Sequence, residues 1–559
     1  MLYKKINLFL FLFCITKVSP GQIEKFSHQD TLRGSIGIGR TKWDVLHYDI
    51  TVTPNIQTKS ISGITKITFL DSGVTSMQID LQDPLIIDKI LQDNKTITFT
   101  KEGNVYWITL APNHLKKTNK KSSPFINHLS IFYHGIPKEA IHPPWDGGWI
   151  WKQDAKKNPL ISVACQGLGA SVWYPCKDTQ SDEPDNGSTL HIIVPDSLIG
   201  IGNGKLLYTK KLNHNQTEFT WKVTAPINNY NIVPYIGKYK HFSEIYNGEN
   251  GLLTMDYWVL SDNLEKAKKQ FADVPKMMKA FEYWFGPFPF YKDGYKLVEA
   301  PHLGMEHQSA IAYGNQYQNG YLGRDLSETG WGLKWDFIIV HESGHEWFAN
   351  NITTKDIADM WVHEGFTCYS ETLFTEFYYG KKAGEEYVQG LRKNIINDKP
   401  IIGQYNVNNE GSEDMYYKGA NLLHTIRHII DNDSIFRDIL IGLNKQFYHK
   451  TITTKDIELY FTQKSKTDLT TIFDQYLRTN QIPELVYHYK NDSLYFKWTN
   501  TIPNFAMPAK IIIDNEDNEH WISATNDWKS IAVSTTSSKN HSKVILNKNF
   551  YAYCKELDE

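Results

Sequence analysis

The sequence of 559 residues has few cysteines, no block of basic residues and no low-complexity linker. Its cysteines are Cys14, Cys165, Cys176, Cys368 and Cys554, which are too few for a disulfide scaffold and form no Cys-x-x-Cys metal motif. The formal net charge is -3, and without a basic cluster nothing indicates a nucleic-acid partner. Cys165 and Cys176 could pair in an oxidising compartment or remain two free buried thiols.

The one strongly apolar run lies at the N-terminus and is short. Lys4 and Lys5 precede an apolar segment over residues 6–15, and small residues follow up to Gly21. This order is typical of a secretory signal peptide, because a transmembrane helix needs about 20 apolar residues. We therefore predict a signal peptide over residues 1–21 and an exported protein, periplasmic or secreted, without a stable membrane span after cleavage. An uncleaved N-terminal anchor is the alternative.

Hydrophobic patterning divides the rest of the chain into three parts. Residues 22–240 alternate apolar and polar positions, as at 48–53, which predicts an antiparallel β-sandwich or saddle-shaped domain. Residues 241–480 carry apolar residues at three- and four-residue spacing from Leu264 onwards, which predicts a mainly helical domain. Alternation returns over residues 481–559 and predicts a small β-sandwich. The fold class is therefore multidomain α+β.

The strongest chemical signal is a His-Glu-x-x-His motif at His341, Glu342 and His345. Residues four apart share a helix face, so the two imidazoles can hold one Zn²⁺, and Glu342 can accept a proton from water. Two histidines that only fill a packing face are the alternative. Glu364, on the next predicted helix, would complete a set of two histidines and one glutamate. Glu371 falls on the same face as Glu364 and could orient a ligand, although a solvent-exposed glutamate is the more ordinary interpretation.

Two further segments accompany this motif. Gly304-Met305-Glu306-His307 lies upstream and Tyr416-Tyr417-Lys418-Gly419-Ala420 lies downstream. Together with HExxH followed after eighteen residues by glutamate, they resemble peptidase family M1, the zinc aminopeptidases that include aminopeptidase N and the leukotriene-A hydrolases. The glutamate of the family's Gly-x-Met-Glu-Asn segment is kept as Glu306, and its asparagine is replaced by His307. We expect a short, bacterial-type member without the family's large C-terminal helical domain.

The resemblance implies a thermolysin-like catalytic domain of the gluzincin type. It would hold one Zn²⁺ per chain through His341, His345 and Glu364, and the metal would polarise the scissile carbonyl and activate water. Glu342 would be the general base, and Tyr416 would donate a hydrogen bond to the developing oxyanion.

An aminopeptidase must also recognise a free α-ammonium group. The resemblance implies that Glu306 binds it and that Gln166 is a second, uncharged acceptor. The backbone at Gly304 and Met305 would run along the substrate as an extra strand, and glycine allows this close approach. An ordinary turn is the alternative for Gly304. Tyr417 stands where many family members have glutamate, which assigns the oxyanion role to the tyrosine before it.

We therefore predict hydrolysis of the N-terminal peptide bond of peptides with a free α-amine. A leukotriene-A-hydrolase-like epoxide hydrolase, or a bifunctional enzyme, would use the same zinc site, but the signal peptide and the missing helical domain argue against it. An endopeptidase is a second alternative, which Glu306 argues against because its use is to bind a chain end. A zinc-free binding scaffold is a third, and the complete ligand set argues against it.

Overall fold

The structure is a computed structural model that describes residues 25–111, 125–513, 518–533 and 542–557. The predicted signal peptide and Cys14 lie outside these residues. No helix within the described ranges is long and apolar enough to cross a membrane.

The first part of the described chain is built mainly from β-strands. They are β1 (Trp43–Asn55), β2 (Ser60–Asp71), β3 (Ser76–Asp80), β4 (Ile86–Gln92), β5 (Lys95–Ile97), β6 (Phe99–Glu102), β7 (Val105–Thr109), β8 (Phe125–Gly135), β9 (Gly148–Gln153), β10 (Pro159–Ala164), β11 (Ser188–Pro195), β12 (Ile199–Ile201), β13 (Lys205–Leu212), β14 (Gln216–Val223) and β15 (Tyr235–Gly237). They form an eight-stranded sheet in the order β13-β14-β11-β1-β2-β8-β4-β5, a four-stranded sheet β12-β15-β10-β9 and a three-stranded sheet β3-β7-β6. Pairing between these described strands is antiparallel except between β1 and β11, which run parallel.

Period-two alternation explains how the large sheet covers its core. Tyr48, Ile50 and Val52 of β1 are buried, because successive side chains of a strand point to opposite faces of its sheet. They belong to one hydrophobic cluster with Ile161 of β10 in the four-stranded sheet. The two sheets therefore share a core, as a sandwich does.

The middle part of the chain combines a mixed sheet with helices. Strands β16 (Tyr239–Gly248), β17 (Gly251–Leu260), β18 (Tyr295–Glu299), β19 (Gly304–Met305) and β20 (Ile311–Tyr313) form a sheet in the order β16-β17-β18-β20-β19, and β21 (Ile352–Thr354) pairs with β22 (Lys450–Ile452). The α-helices of the described chain are α1 (His28–Gly34), α2 (Leu264–Gln270), α3 (Val274–Phe285), α4 (Phe337–Gly344), α5 (Trp361–Tyr379), α6 (Lys381–Gly390), α7 (Tyr417–Ile430), α8 (Asp433–Gln446), α9 (Thr454–Ser465) and α10 (Thr470–Arg478). Pro275 stands in the first turn of α3, where a missing N–H costs nothing. Strand β19 is an edge strand, with β20 as its neighbour.

The last part returns to β-structure. Its strands are β23 (Glu484–Lys490), β24 (Ser493–Thr499), β25 (Ala506–Ile513), β26 (Glu519–Thr525), β27 (Lys529–Ala532), β28 (Val544–Leu546) and β29 (Tyr553–Glu556), in two sheets ordered β27-β24-β23-β29 and β26-β25-β28. Trp498 and Met507 share a hydrophobic cluster with Leu477 of α10, so these sheets pack on the helical part. The predicted fold class is confirmed, whereas the domain boundaries at residues 240 and 480 stay predictions.

Candidate metal centre and active site

The His-Glu-x-x-His motif lies on a buried helix. Asp336 caps α4, because its carboxylate accepts hydrogen bonds from the backbone N–H groups of Ile338 and Ile339 at 3.0 and 3.2 Å. His345 directly follows α4 and keeps helical backbone angles, so it lies one turn beyond His341. The two imidazole rings are 5.1 Å apart between centroids. The predicted pairing of the two histidines on one face is therefore present.

Helix α5 brings a carboxylate to the same point. Glu364 stands in its first turn, with Oε2 3.6 Å from Nε2 of His341 and 3.4 Å from Nε2 of His345. This oxygen is buried and has no hydrogen-bond partner. Burial opposes ionisation, but the two imidazoles hold the pKa of Glu364 below its usual range. Three ligand atoms thus converge on one point.

The donor set fits zinc. Nδ1 of His341 is 2.7 Å from Glu371 Oε1, and Nδ1 of His345 is 3.1 Å from the carbonyl oxygen of Phe348. With an acceptor at each Nδ1, the proton is held there and the lone pair of each Nε2 points towards Glu364. Two imidazoles and one carboxylate, with room for a fourth ligand, are a set that catalytic zinc sites use.

Glu371 is not the solvent-exposed glutamate that is the more ordinary interpretation of its sequence position. It is 1% exposed rather than solvated, and its second carboxylate oxygen accepts a hydrogen bond of 2.6 Å from the hydroxyl of Tyr387 on α6. The reason is that α5 packs against α4, α6 and α7, which leaves most of this long helix without a solvent face. Glu371 therefore orients His341, the role that the sequence left as the weaker alternative.

Glu342 is the remaining carboxylate of the motif helix. Burial raises its pKa to about 7, while His341 and His345 lower it. Strand β19 passes so close that a Cβ at Gly304 would lie 2.4 Å from Glu342 Oε1. Gly304 is thus part of an edge strand rather than an ordinary turn, and the absence of a side chain lets the strand lie against the carboxylate.

A second carboxylate, Glu306, lies at the end of β19. Its Oε1 accepts hydrogen bonds of 2.6 Å from Gln166 Nε2 and 2.9 Å from the Tyr230 hydroxyl. Burial raises the pKa of Glu306, and the nearby His345 opposes this change. Ligand atoms of Glu306, Glu342 and His345 lie within 4.8 Å of one another, so Glu306 adjoins the metal centre. Because each imidazole Nε2 points towards Glu364, we take His341, His345 and Glu364 as the ligand set.

Tyr416 immediately precedes α7, and its ring lies 6.1 Å from the ring of His341 between centroids. Within the described residues its hydroxyl has no hydrogen-bond partner. Burial raises the pKa of Tyr416 well above its ordinary value, so the phenol stays protonated and can donate a hydrogen bond. Tyr417 lines the same cavity.

All nine residues predicted for the site line one cavity of about 380 Å³. They are Gln166, Gly304, Met305, Glu306, His341, Glu342, His345, Glu364 and Tyr416. The cavity also receives Trp145, whose indole no sequence signal marked. Sequence reasoning likewise missed Tyr230, which donates a hydrogen bond to Glu306 from a short 3-10 helix, Asn229–Asn231, between β14 and β15.

Other residues singled out from the sequence lie behind this cavity. His307, the replacement for the family asparagine, is fully buried, with Nδ1 2.5 Å from the Tyr235 hydroxyl. Cys165 and Cys176 are both buried free thiols. The structure therefore shows the thiol alternative rather than a disulfide.

Two histidines from one helix and a glutamate from the next define, as a class, a gluzincin-type metallopeptidase centre. Comparison with known proteins agrees with this class. Residues 270–476 match the peptidase family M1 domain. Endoplasmic reticulum aminopeptidase 1 of Rattus norvegicus is 21% identical over 484 residues, which cover 81% of this chain and 49% of that protein. Leukotriene A-4 hydrolase of Xenopus laevis is 23% identical over 456 residues, which cover 77% of this chain and 70% of that protein.

The fold is shared with a solved structure. An M1 zinc metallopeptidase from Deinococcus radiodurans superposes with a TM-score of 0.64 at 18% identity, covering 80% of this chain and 96% of that one. The chain carries a peptidase family M1 domain over residues 270–476. It spans about half the length of the endoplasmic reticulum aminopeptidases that it matches.

Proposed function

We propose that the protein is a zinc-dependent aminopeptidase that removes single residues from peptides with a free N-terminus. The observation that carries this proposal is the position of Glu306. A buried carboxylate, fixed by Gln166 and Tyr230, lies in the same cavity as the ligand set and next to His345. Such a group suits an α-ammonium ion, because a charge-assisted hydrogen bond offsets the cost of burying both charges.

The polar residues on and next to helices α4 and α5 have separate roles in this proposal. His341, His345 and Glu364 hold one Zn²⁺ per chain, which supplies Lewis acidity to activate water and polarise the scissile carbonyl. Glu342 accepts the proton of the attacking water and returns it to the leaving amine. Burial raises the pKa of Glu342 to about 7, and the charge of a bound cation would favour the ionised form that accepts a proton.

The other residues bind and orient the peptide. Tyr416 donates a hydrogen bond from its hydroxyl to the carbonyl oxygen as negative charge develops there. Strand β19 offers the free edge of its sheet, so the backbone at Gly304 and Met305 can pair with an extended substrate. In this proposal the first peptide bond, rather than an internal one, lies beside Glu342.

The relatives support the same activity. Aminopeptidases of Rattus norvegicus and Candida albicans are among them, and the Deinococcus radiodurans metallopeptidase has been solved with a Tyr-Ser-Ala substrate.

The test is a panel of short peptides, each with a free and with an acetylated N-terminus, incubated with and without a zinc chelator. We expect mass spectrometry to show stepwise loss of single residues from the free peptides only, and chelation to abolish it. Internal cleavage of acetylated peptides would contradict the role of Glu306 and indicate an endopeptidase. Failure to cleave any peptide with zinc bound would contradict the proposal and direct the search to lipid epoxides.

We also propose that the protein is exported and works in the periplasm or outside the cell. The support is the basic, apolar and small-residue order of residues 1–21. N-terminal sequencing of the protein recovered from cell fractions should give a mature chain that starts near Gln22. A chain that keeps its first residues and stays in the cytosol would contradict this proposal.

A further inference from the structure

A distorted turn directly follows the metal ligand His345. The backbone N–H of Asn350 donates to the carbonyl oxygen of His345, five residues back, at 3.0 Å, whereas an α-helix forms this bond four residues back. Within the turn Phe348 leaves helical geometry at φ −127° and ψ 84°, and Ala349 has φ +149° and ψ −50°. Residues with a side chain rarely adopt a positive φ, so the backbone at Ala349 is strained, and such strain persists only where the surrounding contacts hold it.

This turn directs two polar groups to different parts of the active site. The carbonyl oxygen of Phe348 points back to Nδ1 of His345, at 3.1 Å. Two residues further on, Nδ2 of Asn350 donates a hydrogen bond of 2.8 Å to the carbonyl oxygen of Glu306. One short segment therefore contacts both a metal ligand and the residue that is proposed to bind the substrate amine.

Asn350 is also bonded to the element that supports the Glu306 carboxylate. Its Oδ1 accepts a hydrogen bond of 2.7 Å from Nδ2 of Asn231. Asn231 directly follows Tyr230 in the 3-10 helix Asn229–Asn231, and the Tyr230 hydroxyl donates to Glu306 Oε1. The Asn350 residue is 1% exposed, so both hydrogen bonds are shielded from water. The backbone of Glu306 and the helix that supports its carboxylate are therefore joined at the side-chain amide of Asn350.

The same turn holds the other end of the loop that follows β19. Oε1 of Glu346 accepts a hydrogen bond of 2.9 Å from the backbone N–H of Ser309. Because Asn350 is bonded to Glu306, the loop over residues 306–309 is attached to the turn at both ends. The position of Glu306 therefore depends on the position of the turn, which begins at His345.

We propose that Asn350 is a positioning residue that fixes Glu306 at its distance from the metal ligand His345. This deepens the proposed aminopeptidase function and rests on it. An aminopeptidase has to hold the substrate amine one residue away from the scissile bond, and a misplacement of about 1 Å can lower the rate about 10²-fold. Asn350 does not line the active-site cavity, so it acts through Glu306 rather than on the substrate.

The experiment measures kcat/KM on free peptides and zinc affinity for Asn350→Ala, Glu306→Gln and the double variant. We expect Asn350→Ala to lower kcat/KM about tenfold, the size of a lost buried hydrogen bond, with zinc affinity unchanged. Because Asn350 acts through Glu306, the double variant should lie within about twofold of Glu306→Gln alone, whereas independent effects would multiply. Losses that multiply, or a loss in Asn350→Ala that added zinc restores, would overturn the inference.

Asn351→Ala is the matched control. Asn351 is the neighbouring amide and is equally buried, but its side chain hydrogen-bonds Asn444 and the backbone of His449, away from Glu306. Asn351→Ala should therefore keep near-wild-type kcat/KM even if its unfolding temperature falls. Equal losses of kcat/KM in Asn350→Ala and Asn351→Ala would overturn the inference, because they would indicate a general structural role.

A second variant makes the test independent of whether Asn350→Ala folds. Asn231→Ala removes the hydrogen bond of that side chain to Asn350 and should show the same pattern at a smaller size. Wild-type kcat/KM in both Asn350→Ala and Asn231→Ala would overturn the inference while leaving the aminopeptidase function intact. If the wild-type protein releases no N-terminal residue from any peptide, the proposed function itself fails, and the inference fails with it.

Discussion

The active-site cavity has two walls of different construction. The wall of helices α4 and α5 carries the ligand set, and each imidazole is fixed through Nδ1 so that Nε2 stays free. The wall formed by β19 and the neighbouring β-part gathers its polar groups around one carboxylate, Glu306. The first wall is arranged for chemistry and the second for recognition. Substitutions on the two walls should therefore change different kinetic quantities.

The largest effect should come from the base on the helical wall. Glu342→Gln keeps the shape and the metal ligands but removes proton transfer, so we expect kcat to fall about 10²- to 10⁴-fold with zinc retained. Glu413→Gln, which changes a carboxylate elsewhere in the same cavity, serves as the control and should cost far less. A Glu342→Gln protein with near-normal kcat would remove Glu342 as the base.

Next in size is the hydroxyl that faces the developing charge. Tyr416→Phe should lower kcat about 10²- to 10³-fold with little change in KM, because the hydrogen bond forms mainly in the transition state. Tyr417→Phe is the matched variant and should stay close to wild type. If the two variants exchanged these behaviours, the oxyanion role would belong to Tyr417.

Substitution of Glu306, on the wall formed by β19, should affect peptides with a free N-terminus and not acetylated peptides. Glu306→Gln removes the charge that pairs with an α-ammonium group, so kcat/KM for free peptides should fall about 10- to 100-fold. The small residual cleavage of acetylated peptides, if detectable, should not change. Equal losses on free and acetylated peptides would mean that Glu306 does not bind the amine.

The last effect should concern zinc affinity rather than substrate binding. Glu371→Gln weakens the acceptor that orients His341, so zinc affinity, measured by competition with a chromophoric chelator, should fall about 10- to 100-fold. Tyr387→Phe leaves the Glu371 carboxylate in place but removes the hydrogen bond that the Tyr387 hydroxyl donates to it. Zinc affinity should therefore fall less than in Glu371→Gln. Unchanged affinity in both variants would show that His341 is held by its helix alone.

The sequence predicted the helical wall better than the strand wall. The four-residue spacing of His341 and His345 is a local property of a helix, so it could be used without a structure. The burial of Glu371 is not local, because it depends on how many helices surround α5. The helical face of Glu371 is therefore predictable from the sequence, whereas its burial is not.

Contacts between distant parts of the chain were beyond sequence reasoning. Tyr230 reaches Glu306 across 76 positions, and no residue pattern around it differs from an ordinary loop. The active-site cavity has the same origin, because Trp145 and Leu303 come to line it together only once the N-terminal β-strands pack on the mixed sheet. The alternation that predicted the strands gives no information on which of their loops meet.

The most direct test of the account is to measure bound zinc and peptidase activity together. Protein stripped with a chelator should lose cleavage of free peptides and regain it in proportion to added Zn²⁺, reaching its maximum at one ion per chain. Replacement of Glu364 by Ala should abolish both tight zinc binding and that recovery. Full aminopeptidase activity in protein shown by elemental analysis to contain no metal would contradict the central claim.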